Sequence, residues 1–100
     1  MNTQNGREMA DPLWLSALTQ RKTVVGAKQL RKALAAGKAE RVFLAEDADP
    51  AVTEPIAALC ELKRVACAWV KSMTCLGRAC GIEVGAAAAA VIFDSTGDTP

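Results

Sequence analysis

The stretch "VVGAKQLRKAL", Val24 to Leu34, decides how this chain is read. Two β-branched residues run into Gly26, and apolar residues then recur at Ala27, Leu30, Ala33 and Leu34. That spacing is the i, i+3, i+4 period of a helix with one buried face, so the stretch predicts a strand that turns directly into a helix. Such a turn leaves the first N–H groups of the helix without intrahelical acceptors, and the helix dipole makes that end attractive to an anion. Lys28, Arg31 and Lys32 stand outside the apolar set with no acid among them, and Lys28 and Lys32, four apart, share one face. Gln29 differs in kind, because a neutral amide both donates and accepts and can read a base edge where lysine meets only a phosphate. The same residues also fit a solvated amphipathic helix, and a basic patch alone does not choose between the two.

Working outward, the chain alternates helix and strand signals. Asp11-Pro12 offers an N-cap with proline in the first turn, predicting a short helix over Leu13 to Gln20. Thr23 to Val25 is a short strand, and Gly37 is a natural stop for the helix that reaches Ala36. Arg41 to Ala45 reads as a buried strand feeding the acidic turn Glu46 to Asp49, and Asp49-Pro50 repeats the cap signal for a helix from Pro50 to about Leu62. Its expected inward face is Val52, Ile56, Leu59 and Cys60, with Pro55 at the sixth position, where a missing N–H weakens or kinks a helix.

Val65 to Val70 is a further apolar strand, after which Ser72 or Thr74 caps a helix through Ala79 or Cys80, with Gly81 as terminator. Gly85 to Phe93, "GAAAAAVIF", has the composition of a helix former but no polar face and a β-branched end, which predicts a central strand whose small side chains admit helices on both faces. Residues 1–10 are polar and unpatterned, with Met9 a conceivable alternative start, and residues 94–100 are polar again, so both read as flexible tails around a single domain over 11–93. The expected fold class is α/β: a three-layer α/β/α sandwich with a central mixed sheet of about four strands.

Composition excludes several functions. One hundred residues make one domain, and with 51% hydrophobic and 23% charged residues that domain is globular. No apolar run approaches the roughly 20 residues of a membrane span, so the expectation is a soluble, cytoplasmic protein with no membrane partner. The net charge of +1 hides a segregation: seven basic residues against Glu40 between Arg21 and Arg41, then five acids and no base between Val42 and Leu62. One face can therefore carry a positive field, or two helix faces of opposite sign can simply be solvated. Zero histidines remove the commonest general base and any Ser-His or Cys-His pair. The four cysteines, Cys60, Cys67, Cys75 and Cys80, form no Cys-x-x-Cys pair and have apolar or small neighbours, which reads as buried filler rather than a metal or redox site. No cofactor, metal or catalytic residue is expected.

The loop "VKSMTCLG", Val70 to Gly77, is the second candidate surface. Val70 and Met73 flanking Lys71 and Ser72 are unusual in a loop that only has to be soluble, unless they tuck under the sheet edge.

Three motifs in fixed order, "VVGAKQLRKAL", "VFLAEDADP" and "VKSMTCLGRACGIEVGAAAAAVI", resemble a bacterial member of the kink-turn RNA-binding ribosomal protein family of the L-seven-Ae and L-thirty-e type, over roughly Thr23 to Ile92. The resemblance implies a small α/β/α RNA-binding protein, not an enzyme, that binds sharply bent internal loops with tandem G·A pairs. It places the first RNA contacts on Gly26, Ala27, Lys28, Gln29 and Lys32, and a loop covering unstacked nucleotides on Val70, Lys71, Ser72 and Met73. Where archaeal and eukaryotic members have Asn-Glu, this chain has Lys28-Gln29, so the resemblance assigns guanine recognition to Gln29, helped by Lys28. Glu46 and Asp47 match an acidic turn near the RNA, or they cap and solvate the Pro50 helix. The implied partner is a structured RNA, with ribosomal RNA, a riboswitch and the ribosome itself left open, and no DNA is expected. Two alternatives stand beside it: an accessory module of an RNA-modifying enzyme, and a thiol or redox protein on the same fold. With two Trp, two Phe and no Tyr, the chain lacks the stacking platform of a general single-strand binder.

Overall fold

A computed structural model describes residues 8–93 of the chain. Its elements run α1 (Pro12–Gln20), β1 (Thr23–Val25), α2 (Ala27–Ala35), β2 (Ala39–Ala45), α3 (Pro50–Lys63), β3 (Ala66–Val70), α4 (Met73–Ala79) and β4 (Ala88–Ile92). The sheet order is β1-β4-β2-β3, with β2 and β3 parallel and β4 antiparallel to both its neighbours. The expected α/β/α sandwich with a four-stranded mixed sheet is the fold observed.

The alanine run is the centre of it. Ala88, Ala89, Ala90 and Val91 of β4 are fully buried between β1 and β2. Alternate residues face opposite layers. Ala88 and Ala90 meet the cluster formed with Leu30, Leu34 and Ile56 of α2 and α3, while Ala89 and Val91 meet Leu18 and Leu76 of α1 and α4. Short side chains on both faces let both helix layers approach the strand, which overrides alanine's helix propensity.

Caps act as the sequence implies. Asp11 accepts the N–H of Leu13 at 2.8 Å, Asp49 that of Ala51 at 2.9 Å, and Ser72, not Thr74, caps α4 by accepting from Cys75 at 3.1 Å. Helix α3 continues through Pro55 to Lys63 because the inner face of Thr53, Ile56 and Cys60 is buried and the one bond lost lies on the exposed side. Thr53 takes the innermost position expected of Val52, which is only partly buried.

Three expected boundaries are corrected. Residues 8–10, part of the expected flexible tail, lie along the outer edge of β3: the N–H of Trp69 donates to Glu8 O and the N–H of Ala10 to Trp69 O, both at 2.8 Å. That segment satisfies an edge strand that would otherwise be open. Residues 1–7 and 94–100 of the two expected tails lie outside the described residues. Strand β2 begins at Ala39 rather than Arg41, because the register shifts between Ala39 and Arg41 and the bulge at Glu40 breaks the alternation that marks a strand in sequence. Strand β4 begins at Ala88 rather than Gly85, because the preceding residues bend around α4, where Ala86 N–H reaches Met73 O at 3.0 Å.

The cysteines divide. Cys60 is core, 1% exposed, but Cys75 is exposed, and Cys67 and Cys80 are half-buried, so buried filler does not describe all four. A hydrogen bond to Cys67, reinforced by burial, pushes the Cys60 thiol up, and the same bond lowers Cys67. Burial pushes up Cys80. Among the described residues no group of three or more Cys, Asp or Glu side chains is placed to hold a metal ion, and no helix is long and apolar enough to cross a membrane.

Two outcomes follow. In a thiol titration of the folded protein, Cys75 reacts promptly and Cys60 only on unfolding; prompt reaction of Cys60 contradicts this core. Gly77→Ala places a Cβ 2.1 Å from the Val84 carbonyl oxygen, so the urea midpoint falls by an amount equivalent to at least about 1–3 kcal/mol, the usual range for overpacking. An unchanged midpoint would mean that α4 and the 84–85 segment are not packed as described.

Candidate nucleic-acid interface

The sheet register brings the two candidate segments to one end of the molecule. Val25 pairs with Ala89, Leu44 with Ala88, and Ala45 with Val70, so β1, β2 and β3 all finish at the end where β4 starts. The carboxyl ends of strands in an open α/β sheet are where ligands bind as a rule, because loops and helix N-termini converge there. Here the converging pieces are the start of α2, the 46–49 turn and the 71–72 loop.

Gly26 opens the site. Its N–H donates to Ala88 O at 2.9 Å, fixing it to the sheet, and its φ of 104° with ψ of 144° is a conformation that L side chains rarely adopt. No atom lies within 4 Å of where a Cβ would stand, so the backbone angle and not space demands glycine. The consequence is an uncapped helix. The Leu30 N–H donates to Gly26 O at 3.0 Å, but among the described residues the N–H groups of Ala27, Lys28 and Gln29 meet no protein acceptor. In α1, α3 and α4, an Asp or Ser side chain fills this role.

Around those free donors the side chains are basic. Lys28, Gln29, Arg31 and Lys32 are exposed, while Leu30, Ala33 and Leu34 are buried, as the periodicity predicts. Ala27, Lys28, Arg31 and Lys32 line an open groove against Ala51 and Val52 in the first turn of α3. The groove has an apolar floor and cationic walls, which suits a phosphate backbone whose sugars face the floor.

The second segment differs from expectation in one residue. Val70 is 5% exposed and packs with Phe43, Ala45 and Leu76, so its side chain belongs to the core and not to the loop's outer surface. As the last residue of β3 it faces the α1/α4 layer while Trp69 faces the α2/α3 layer, and both are covered, which is the tucked arrangement that the sequence left open. Lys71 is exposed, Met73 is half-buried and Ser72 is occupied by its cap.

Asp47 ties the segments together. Its carboxylate accepts the N–H of Met73 at 2.8 Å, and Glu46 N–H donates to Val70 O at 2.8 Å, so the acidic turn holds the start of α4. Asp49 caps α3, as its Asp-Pro signal predicts, whereas Asp47, which one of the two readings of the turn had capping that same helix, instead bonds across 26 positions to the start of α4. No local pattern reveals that contact. Arg31, Ala51 and Val52 are the groove residues that the site prediction omitted; Arg31 stands three residues beyond Lys28, a spacing that does signal a shared face.

The fold and sequence are shared with known proteins. The profile described as "Ribosomal protein L7Ae/L30e/S12e/Gadd45 family" matches residues 12–98. An RNA-binding protein of Geobacillus sp. (strain WCH70) is 49% identical over 71 residues, covering 71% of this chain and 87% of the relative. The RNA-binding protein YbxF of Geobacillus stearothermophilus is 45% identical over 71 residues, with the same coverage of 71% and 87%. Among solved structures, the Giardia lamblia 15.5kD RNA binding protein is similar with a TM-score of 0.75 and 29% identity, covering 98% of this chain and 89% of that one. With the family profile spanning residues 12–98 and relatives 45% and 49% identical over 71 residues, the chain belongs to the ribosomal protein L7Ae/L30e/S12e/Gadd45 family.

Proposed function

We propose that this chain is a non-enzymatic, cytoplasmic RNA-binding protein that recognises the kink-turn, a sharply bent internal loop with tandem G·A pairs. The observation that carries the proposal is the uncapped start of α2 at Gly26, with three free N–H donors beside Lys28 and Lys32, at the sheet end where the Asp47-anchored loop also arrives. Relatives named as RNA-binding proteins support it. The bent backbone crowds phosphates, and the donors of Ala27, Lys28 and Gln29 with the two lysines neutralise them. Gln29 reads the exposed purine edges through its amide. Lys71 and Met73 cover the splayed nucleotides; Val70 supports them from the core rather than touching the RNA. Because the protein fits only the bent form, it shifts the RNA population toward it in proportion to its differential affinity. Ribosomal RNA and riboswitches both offer this element, and the ribosome is one assembly that contains such RNA.

The test compares a kink-turn RNA with the same RNA whose G·A pairs are replaced, at two salt concentrations. Tight binding of the first alone supports the proposal, and equal salt-sensitive binding of both contradicts it. Gln29→Ala loses the discrimination, by about 1–3 kcal/mol if one bidentate base contact is removed. Lys32→Ala weakens all RNAs alike and flattens the salt slope by about one. Equal losses on every RNA for both variants would remove base readout from the account. Asp47→Ala, which leaves the Met73 N–H without its acceptor, weakens binding more than Asp47→Asn, which keeps an oxygen there; equal effects would contradict a positioning role for this bond.

A further inference from the structure

The opposite end of the sheet is the more strongly basic of the two. Lys22, Lys38 and Phe93 are brought together by backbone bonds from Ile92 N–H to Lys22 O at 3.0 Å and from Phe93 N–H to Lys38 O at 2.9 Å. Lys63 and Arg64, at the end of α3, line one cleft with Glu40 and Phe93. Arg21 pairs with Glu40 beside them, and Arg41 stacks over the Trp14 ring, 4.2 Å from its centroid. These contacts gather six cations, Arg21, Lys22, Lys38, Arg41, Lys63 and Arg64, with Glu40 as the acid that lines their cleft. The Gly26 end carries Lys28, Arg31, Lys32 and Lys71 against Glu46, Asp47 and Asp49.

A cluster of cations therefore lies at the end away from the proposed kink-turn site. Arg64 ends α3 in a left-handed conformation, φ 60°, that turns the chain from the helix into β3. Phe93, 54% exposed, offers an apolar contact amid the charges.

We infer that this end is a second RNA-backbone surface, so that the chain bridges a structured RNA at the Gly26 end and a separate duplex segment at the Lys22, Lys38, Lys63, Arg64 end. The seven residues of β2 separate the ends by about 20 Å at the usual strand rise, so a phosphate contacting one end does not contact the other. The partner is nucleic acid rather than an acidic protein because lysine is depleted at protein interfaces but serves phosphates as a point charge. The inference rests on the RNA reading above for the class of partner, while the surface itself is independent of the Gly26 site.

The experiment saturates immobilised kink-turn RNA with the protein and then adds a labelled, fully paired RNA duplex. Wild type retains the duplex in a salt-sensitive manner. Lys22→Glu/Lys38→Glu/Lys63→Glu loses that retention by about tenfold or more, while its affinity for the immobilised RNA changes by less than about twofold. The milder Lys22→Gln/Lys38→Gln/Lys63→Gln serves if charge reversal disturbs folding, with equal urea midpoints as the check. Retention by the variant equal to wild type, or no retention by saturated wild type, overturns the inference. More effective displacement of the duplex by a polyglutamate peptide than by unlabelled duplex also overturns it, in favour of a protein partner. If the kink-turn RNA does not bind, the duplex is added to free protein: loss confined to the Lys22/Lys38/Lys63 variant upholds this surface while the Gly26 proposal fails.

Discussion

Everything in this fold depends on how closely two helix layers can approach the central strand β4. Alanine at 88, 89 and 90 leaves room on both faces, and antiparallel pairing to β1 and β2 locks that strand in the middle of the sheet. The N–H of Gly26 bonds to Ala88, and the N–H of Ala45 bonds to Ala87 at 3.0 Å. The strand that permits the sandwich thus also positions the start of α2 and the end of β2. Bulkier residues there would push α2 away and move its free N–H groups relative to the 46–49 turn.

The site follows from topology more than from side-chain chemistry. Three strands ending together deliver a glycine-started helix, an acidic turn and a loop to one place, and Asp47 fastens two of them. The contrast among the helix starts is physically meaningful, since Asp11, Asp49 and Ser72 neutralise donors that α2 leaves available. Charge is organised differently. Basic residues of the 21–41 stretch spread to both ends of the sheet, so a run that is continuous in sequence becomes two separate surfaces in space.

The sequence made local features legible because their causes are local. Asp-Pro pairs announced α1 and α3, the period of Leu30, Ala33 and Leu34 gave the inner face of α2, and Gly26 marked the turn. Features set by distant partners were not legible. The edge bridge at Met9 needs Trp69, the bulge at Glu40 needs the register of β4, and the Asp47 bond needs the start of α4. Val70 shows the same limit at the site. Whether a valine at a strand end is covered depends on the helix layer packed over it, and here Leu76 of α4 and the neighbouring Phe43 and Ala45 of β2 enclose it.

The central claim is that RNA approaches the free N–H groups at the start of α2, and the most direct test is an amide NMR titration of the protein with a short kink-turn RNA. The account predicts the largest shifts at Ala27, Lys28 and Gln29, followed by the 46–48 turn and residues 71–73. Shifts confined to the Lys22, Lys38 and Lys63 end, with Ala27 to Gln29 unmoved, would contradict it.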